Sequence, residues 1–263
     1  MVVWTYDVCV TEAFRLVGVD SHSPRDGNVT WRPARFAAVV VEELAEQIIS
    51  GALVVDGVLP TESVLCERFG FSRTVIREGL KLLEERGLVR VEQGRGTSVQ
   101  PRDAWNLLDP TVLRIALVND RDMSLLDDLV RVRRVLEREM ACAAASRLSE
   151  DELAALAENL KQMEATFDDY ERFRAFDLAF HAIIMKASGN EVGLTIVRVI
   201  HRHGGVTPLL SSGSSRAALE ETAREHREIL EALVAGNGEL AGERIAVHID
   251  QAYAERKGLA GTS

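Results

Sequence analysis

Between residues 35 and 50 the apolar positions Phe36, Val39, Val40, Leu44 and Ile48 recur with the 3.6-residue period of a helix that buries one face. Gly51 ends the pattern. A second, short helix begins near Thr61, a good capping residue after Pro60, and carries Val64, Leu65 and Phe69 before Gly70-Phe71 breaks it. Ser72 is placed to cap a third helix, RTVIREGLKLLEER, whose Ile76, Leu80 and Leu83 form a buried stripe; Gly87 stops it. LVRVE, a QGRG turn and TSVQ then read as two short strands joined by a glycine-rich hairpin. The order is helix, helix, turn, helix, hairpin.

Residues 1–34 show no sustained period and close on a Ser-, Pro-, Gly- and Asp-rich stretch, so they are expected to be a flexible arm; a misplaced upstream start codon explains them equally well. Residues 101–124 read as a connector holding one short helix. From 125 onward the period is helical throughout, over 125–146, 149–165, 170–187, 190–205, 216–235 and 238–256, with no strand-like alternation. The expected chain is mainly α. It comprises an arm (1–34), a winged helix-turn-helix with a small β-hairpin (35–100), a linker (101–124) and an all-helical bundle (125–258).

With 263 residues, 46% of them hydrophobic, the chain can bury a real core, which excludes a disordered protein. No apolar run approaches the roughly 20 residues needed to span a bilayer, and the N-terminus has no secretory pattern. Cys9, Cys66 and Cys142 lie far apart without a CxxC pair. That argues against a disulfide framework or a thiolate zinc site, and points to a soluble, cytoplasmic protein without membrane partners. The net charge of −10 looks hostile to nucleic acid until it is divided. Residues 35–102 carry 9 Lys/Arg against 10 Asp/Glu, whereas 103–263 carry 19 against 27. Between 68 and 81, Arg68, Arg73, Arg77 and Lys81 are opposed only by Glu78, and it is local charge that meets phosphate.

Two short helices around a tight glycine turn, the second bearing Arg73 and Arg77 one turn apart, have the geometry that sets a helix N-terminus into a major groove. Arginine there can reach guanine or phosphate with two parallel hydrogen bonds. Gly94-Arg95-Gly96 forms a wing tip at which the backbone can approach a duplex and Arg95 can enter a minor groove. The plainer alternative is a pair of amphipathic helices with solvated arginines.

The chain holds only six histidines, which makes their placement informative. Asp177 and His181 are spaced i, i+4 and share a helix face. His226 and His248 lie on successive helices, each about 16 Å of helical rise from the turn near Gly236-Asn237, and therefore at one level of an antiparallel pair. Whether the Asp177 helix faces that pair is not legible locally, and both histidines could equally be surface or capping residues. A carboxylate with imidazoles would suit a divalent ion, zinc first, with nickel or manganese as alternatives.

LPTESVLCERFGFSRTVIREGLKLLEERGLVRVEQGRGTSV resembles the DNA-binding domain of the GntR family of bacterial transcription regulators. The resemblance implies DNA contacts from Ser72, Arg73, Thr74 and Arg77 and from Gly94, Arg95 and Gly96. Many members carry Arg where this chain has Ser63. Residues 125–250 resemble the FCD ligand-binding domain of the FadR subgroup, whose pattern is kept as Arg133 with Glu137, Asp177 with His181, Gly189-Asn190, His226 and His248. The resemblance implies Asp177, His181, His226 and His248 as metal ligands and Arg133, Asn190 and His203 as effector-binding residues, with Arg131 and Arg134 as rivals to Arg133 and His201 beside His203. PRDAWNLLDPTVLRIAL and the cysteine in LCERF resemble repressors of sugar-acid catabolism.

The expected function is thus a homodimeric, non-enzymatic repressor that binds an inverted-repeat operator in double-stranded DNA and answers to a small carboxylate or sugar-acid effector held at a divalent metal. A regulator whose signal is the ion itself is the alternative. A metal-dependent hydrolase is a third, weakened by the absence of an evident general base and by a winged head for which an enzyme has no use.

Overall fold

A computed structural model describes residues 31–92, 94–203 and 215–260, with side chains described except at 31–33, 203 and 255–260. The predicted arm and the segment around residue 213 lie outside the described residues, apart from the arm's last four positions. The chain forms two compact units, divided between Met123 and Ser124.

The first unit opens with α1 (Trp31–Ile49), which begins before the predicted residue 35. Pro33 does not prevent this, since the first turn of a helix has no intrahelical use for the missing N–H. Helix α2 (Glu62–Phe69) is capped by the Thr61 hydroxyl accepting from the Val64 N–H and ends at Gly70 in the left-handed region. Helix α3 (Arg73–Glu85) follows, with Ser72 at the N-cap position but making no capping hydrogen bond through its side chain. At its end the Leu88 N–H donates to the Leu83 carbonyl around Gly87, whose φ is +73°. A side chain at Gly87 would also collide with the backbone of Ala104.

Strands β1 (Val89–Glu92) and β2 (Gly96–Val99) pair antiparallel, Val89 opposite Val99 and Glu92 opposite Gly96. Residues 57–59, read from sequence only as a connection, add to the outer edge of β2 through a bridge between Val58 and Ser98. The segment expected to be a linker also behaves differently. Its helix α4 (Pro110–Val118), capped by Asp109, puts Val112 and Ile115 into one core with Val40, Leu44, Leu65, Ile76 and Leu83. An Arg86–Asp109 ion pair at 3.0 Å and a hydrogen bond from Asn119 to Glu46 tie it further to this unit. The reason is the run Val112, Leu113, Ile115, Ala116, Leu117, too apolar to remain a solvated connection.

The second unit is a bundle of six described helices: α5 (Ser124–Ala144), α6 (Glu150–Glu164), α7 (Tyr170–Ala187), α8 (Glu191–His203), α9 (Arg216–Val234) and α10 (Gly238–Ala260). Ser149 and Glu152 form a reciprocal capping box on α6, while Asp169 and Ser215 cap α7 and α9. Helix α10 packs along both α5 and α9, and α7 packs against α5, α6 and α8. Gly242 permits the close approach of α10 to α5, since a Cβ there would strike Cys142 and lie 2.9 Å from the Arg138 carbonyl. Met140, Phe180, Ile184 and Ile245 fill the centre. Among the described residues no helix is long and apolar enough to cross a membrane.

Candidate metal centre and nucleic-acid interface

The bundle closes three of its helices around four side chains. Asp177 and His181 project from successive turns of α7, His226 from α9 and His248 from α10, and one donor atom of each lies within 4.8 Å of the others. His181 Nε2 is 3.2 Å from His248 Nε2, and His226 Nε2 is 3.3 Å from Asp177 Oδ1. The three rings are buried, while the Asp177 side chain keeps 22% exposure and marks the open side.

The outer nitrogens define what the inner ones present. His226 Nδ1 donates to the Thr222 carbonyl at 2.8 Å, and His248 Nδ1 donates to Glu225 Oε2 at 2.7 Å. His181 Nδ1 lies 2.9 Å from Glu137 Oε2, outside straight hydrogen-bond geometry. A carbonyl or carboxylate can only accept, so Nδ1 of His226 and of His248 carries a proton, and in the tautomer that metal binding requires Nε2 presents a lone pair. Three imidazole nitrogens and a carboxylate therefore converge. His226 Nε2 is buried with no hydrogen-bond partner, and the facing Nε2 atoms of His181 and His248 repel each other unless something positive lies between them.

Charge reinforces this. Burial alone would raise the Asp177 carboxyl, but the neighbouring His226, then His181 and His248, outweigh it and hold the group below the usual carboxylate range. His248 is pushed well below the usual imidazole range by burial first, then by His226 and His181. Donors of a tetrahedral zinc-like ion would stand about 3.4 Å apart at bonds of roughly 2.1 Å, close to the 3.2 Å between His181 and His248 and the 3.3 Å between His226 and Asp177, while the wider spans of up to 4.8 Å would have to draw in. Three imidazoles and one carboxylate fit a borderline divalent ion.

Glu137 was legible only as part of the R-x-x-x-E spacing, yet it is central. Wholly buried, its carboxylate receives Arg133 Nε at 2.7 Å and His201 Nε2 at 2.8 Å besides facing His181. Burial would raise it; Arg133 and His201, with the hydrogen bond from His201 and the nearby His181 ring, hold it well below the usual carboxylate range. Arg131 and Arg134 pair instead with Asp128 and Asp250 at the surface, so Arg133 alone of the three turns toward the cluster. Glu225, which orients His248, had no sequence signal. Asn190 is exposed and accepts from the Gly193 N–H at the start of α8, outside the buried cluster. The side chain of His203 lies outside the described residues; on that helix it is His201 that reaches Glu137.

In the first unit Ser72, Arg73, Thr74 and Arg77 are all exposed along one face of α3, and Gly94, Arg95 and Gly96 are exposed at the hairpin tip. The stripe Val75, Ile76, Gly79, Leu80 and Leu83 faces inward.

Two family patterns match the chain: the one described as bacterial regulatory proteins, gntR family, over residues 36–99, and the FCD domain over residues 128–251. The chain is 31% identical to the galactonate operon transcriptional repressor of Escherichia coli strain K12, over 77% of this chain and 88% of that one. The chain belongs to the GntR family. It is a DNA-binding transcription regulator with an FCD domain, and not an enzyme. The Glc operon transcriptional activator of the same organism is 35% identical over 59% of this chain and 61% of that one. The solved structure of Lar, which controls expression of the agr system in Listeria monocytogenes, covers 89% of this chain and 99% of its own length with a TM-score of 0.58 and 18% identity, a likeness of fold.

Proposed function

We propose that this GntR regulator is a repressor of a carboxylic-acid or sugar-acid catabolic operon, and that its effector binds in the FCD domain at a divalent ion held by Asp177, His181, His226 and His248. The convergence of three buried imidazole rings on the Asp177 carboxylate carries the reading. A bound divalent ion would supply a Lewis-acidic centre for an effector oxygen. Arg133 spends Nε on Glu137 and keeps its terminal N–H groups for an effector carboxylate, with its side chain 20% exposed. The similarity to the galactonate operon repressor, over most of both chains, supports a sugar acid as the class. A homodimer with two heads would read an inverted repeat, the effector biasing their relative placement.

Four protein donors would by themselves complete a tetrahedral ion, which favours a second reading in which the metal is the signal. One experiment separates the two. Fluorescence anisotropy on DNA from upstream of the protein's own reading frame is titrated with a panel of aldonates and uronates, then repeated after chelation and with His226→Ala. Release by one acid, lost on chelation and in the variant, supports the repressor. Binding that follows metal while no acid matters supports the metal sensor instead.

A further inference from the structure

The exposed arginines of α3 are not free. Arg77 Nε donates to both carboxylate oxygens of Glu62 at 2.9 Å, and Arg73 Nη2 donates to Ser63 Oγ at 3.2 Å. Both acceptors sit in the first turn of α2, next to each other in sequence, and each takes one arginine of the following helix. We propose that Glu62 and Ser63 are specificity-determining positioning residues, which aim Arg77 and Arg73 so that the head discriminates among DNA sequences rather than merely binding DNA. The proposal rests on α3 being the helix that meets DNA.

The donor inventory makes the case. A guanidinium has five N–H groups arranged in two edges that can each make a pair of parallel hydrogen bonds. Arg77 gives up Nε and keeps the edge formed by its two terminal nitrogens. Arg73 gives up one N–H of Nη2, which leaves one of its two edges whole. Neither arginine makes another hydrogen bond or ion pair within the described residues. Each therefore retains one fork of the kind that reads O6 and N7 of guanine. An unclamped arginine samples many rotamers and can pair with any nearby phosphate, a contact without sequence information.

Glu62 has a second effect. A carboxylate at the front of the head repels phosphate unless an arginine covers it. Its side chain is 35% exposed, so its charge is felt by an approaching duplex. Removing it weakens aim and repulsion together, which shifts binding from selected toward arbitrary DNA. A residue that only supported the fold would lower both.

The test uses the full-length protein. A duplex preferred by the wild type is selected from a randomised pool, and its affinity is compared with that of a scrambled duplex of equal composition at fixed salt. Glu62→Ala is expected to hold the scrambled duplex at least as tightly as wild type while losing roughly tenfold on the selected one. Glu62→Gln, which keeps an acceptor oxygen, should recover part of that loss. Ser63→Ala should relax preference at the base pair read by Arg73, and Ser63→Thr should restore it. An unchanged ratio of the two affinities in Glu62→Ala and Ser63→Ala overturns the proposal, as does an equal loss on both duplexes. Arg77→Ala is the control for the underlying reading. If it leaves affinity for the selected duplex intact, α3 is not the contact helix and the proposal falls with that reading; if it abolishes that affinity while Glu62→Ala keeps the wild-type ratio, only the clamp is wrong.

Discussion

Replacing Glu137 by Gln tests the architecture of the candidate centre at its least replaceable point. The carboxylate is wholly buried and serves Arg133, His201 and His181 at 2.7, 2.8 and 2.9 Å. Losing one partner of a buried ion pair costs about 3–5 kcal/mol, and because Arg133 keeps some access to water the lower end applies, about 3 kcal/mol. At about 2.1 cal/mol/K of unfolding entropy per residue, a unit running from Ser124 to Ala260 changes by ~0.3 kcal/mol per degree, so its melting point should fall by ~10 °C. A second effect is separable from the first. Gln still presents an oxygen to His181 but without charge, so zinc affinity should drop about 10- to 100-fold, the usual consequence of losing a partner of a metal-bound histidine. Thermal melting by circular dichroism with and without zinc, together with competition against a chelating dye, reads both. A variant that melts within ~2 °C of wild type and takes up zinc equally well would refute the assignment of Glu137 as the support of His181.

Arg133→Ala should abolish release of DNA by a sugar acid while metal content, measured by elemental analysis, stays at the wild-type ratio; Arg131→Ala, at the surface, should respond like wild type. The metal-free protein should lose stability as pH falls below 6.5, because burial lowers His201 and His248 in the folded state while the unfolded chain takes up those protons. The slope is up to about 1.4 kcal/mol per pH unit for each histidine, and a melting temperature that is flat from pH 7 to 5 contradicts it. Gly87→Ala should destabilise the first unit by about 2 kcal/mol or more, from the positive φ and the contact with Ala104, as read in urea unfolding.

Local pattern settled a good deal. The helix period, the cap at Thr61, and the glycine stops at Gly70 and Gly87 are properties of short segments, so the order of helices and the hairpin could be read before any contact was known; the side-chain cap expected of Ser72 does not form. The spacing of Asp177 and His181 follows from one turn of helix. The common level of His226 and His248 follows from equal distances to one turn, and their rings indeed lie 4.5 Å apart between centroids. Misjudgements by pattern came where a segment has no partner of its own. Helix α4 is short and mostly apolar, and only its packing against α1 and the rest of that core makes it part of the head.

What tertiary structure alone decided is rotation and depth. Periodicity says that a helix has a buried face, but the packing of α7 against α5, α6 and α8 and of α10 against α5 and α9 determines which residues look into a shared interior. That is why Arg133 could not be told from Arg131 and Arg134, why His201 was not preferred over His203, and why Glu225 was invisible although it adjoins His226 in the chain. It also converts four polar side chains from scattered letters into one shared centre, because only burial removes the water that would otherwise satisfy them.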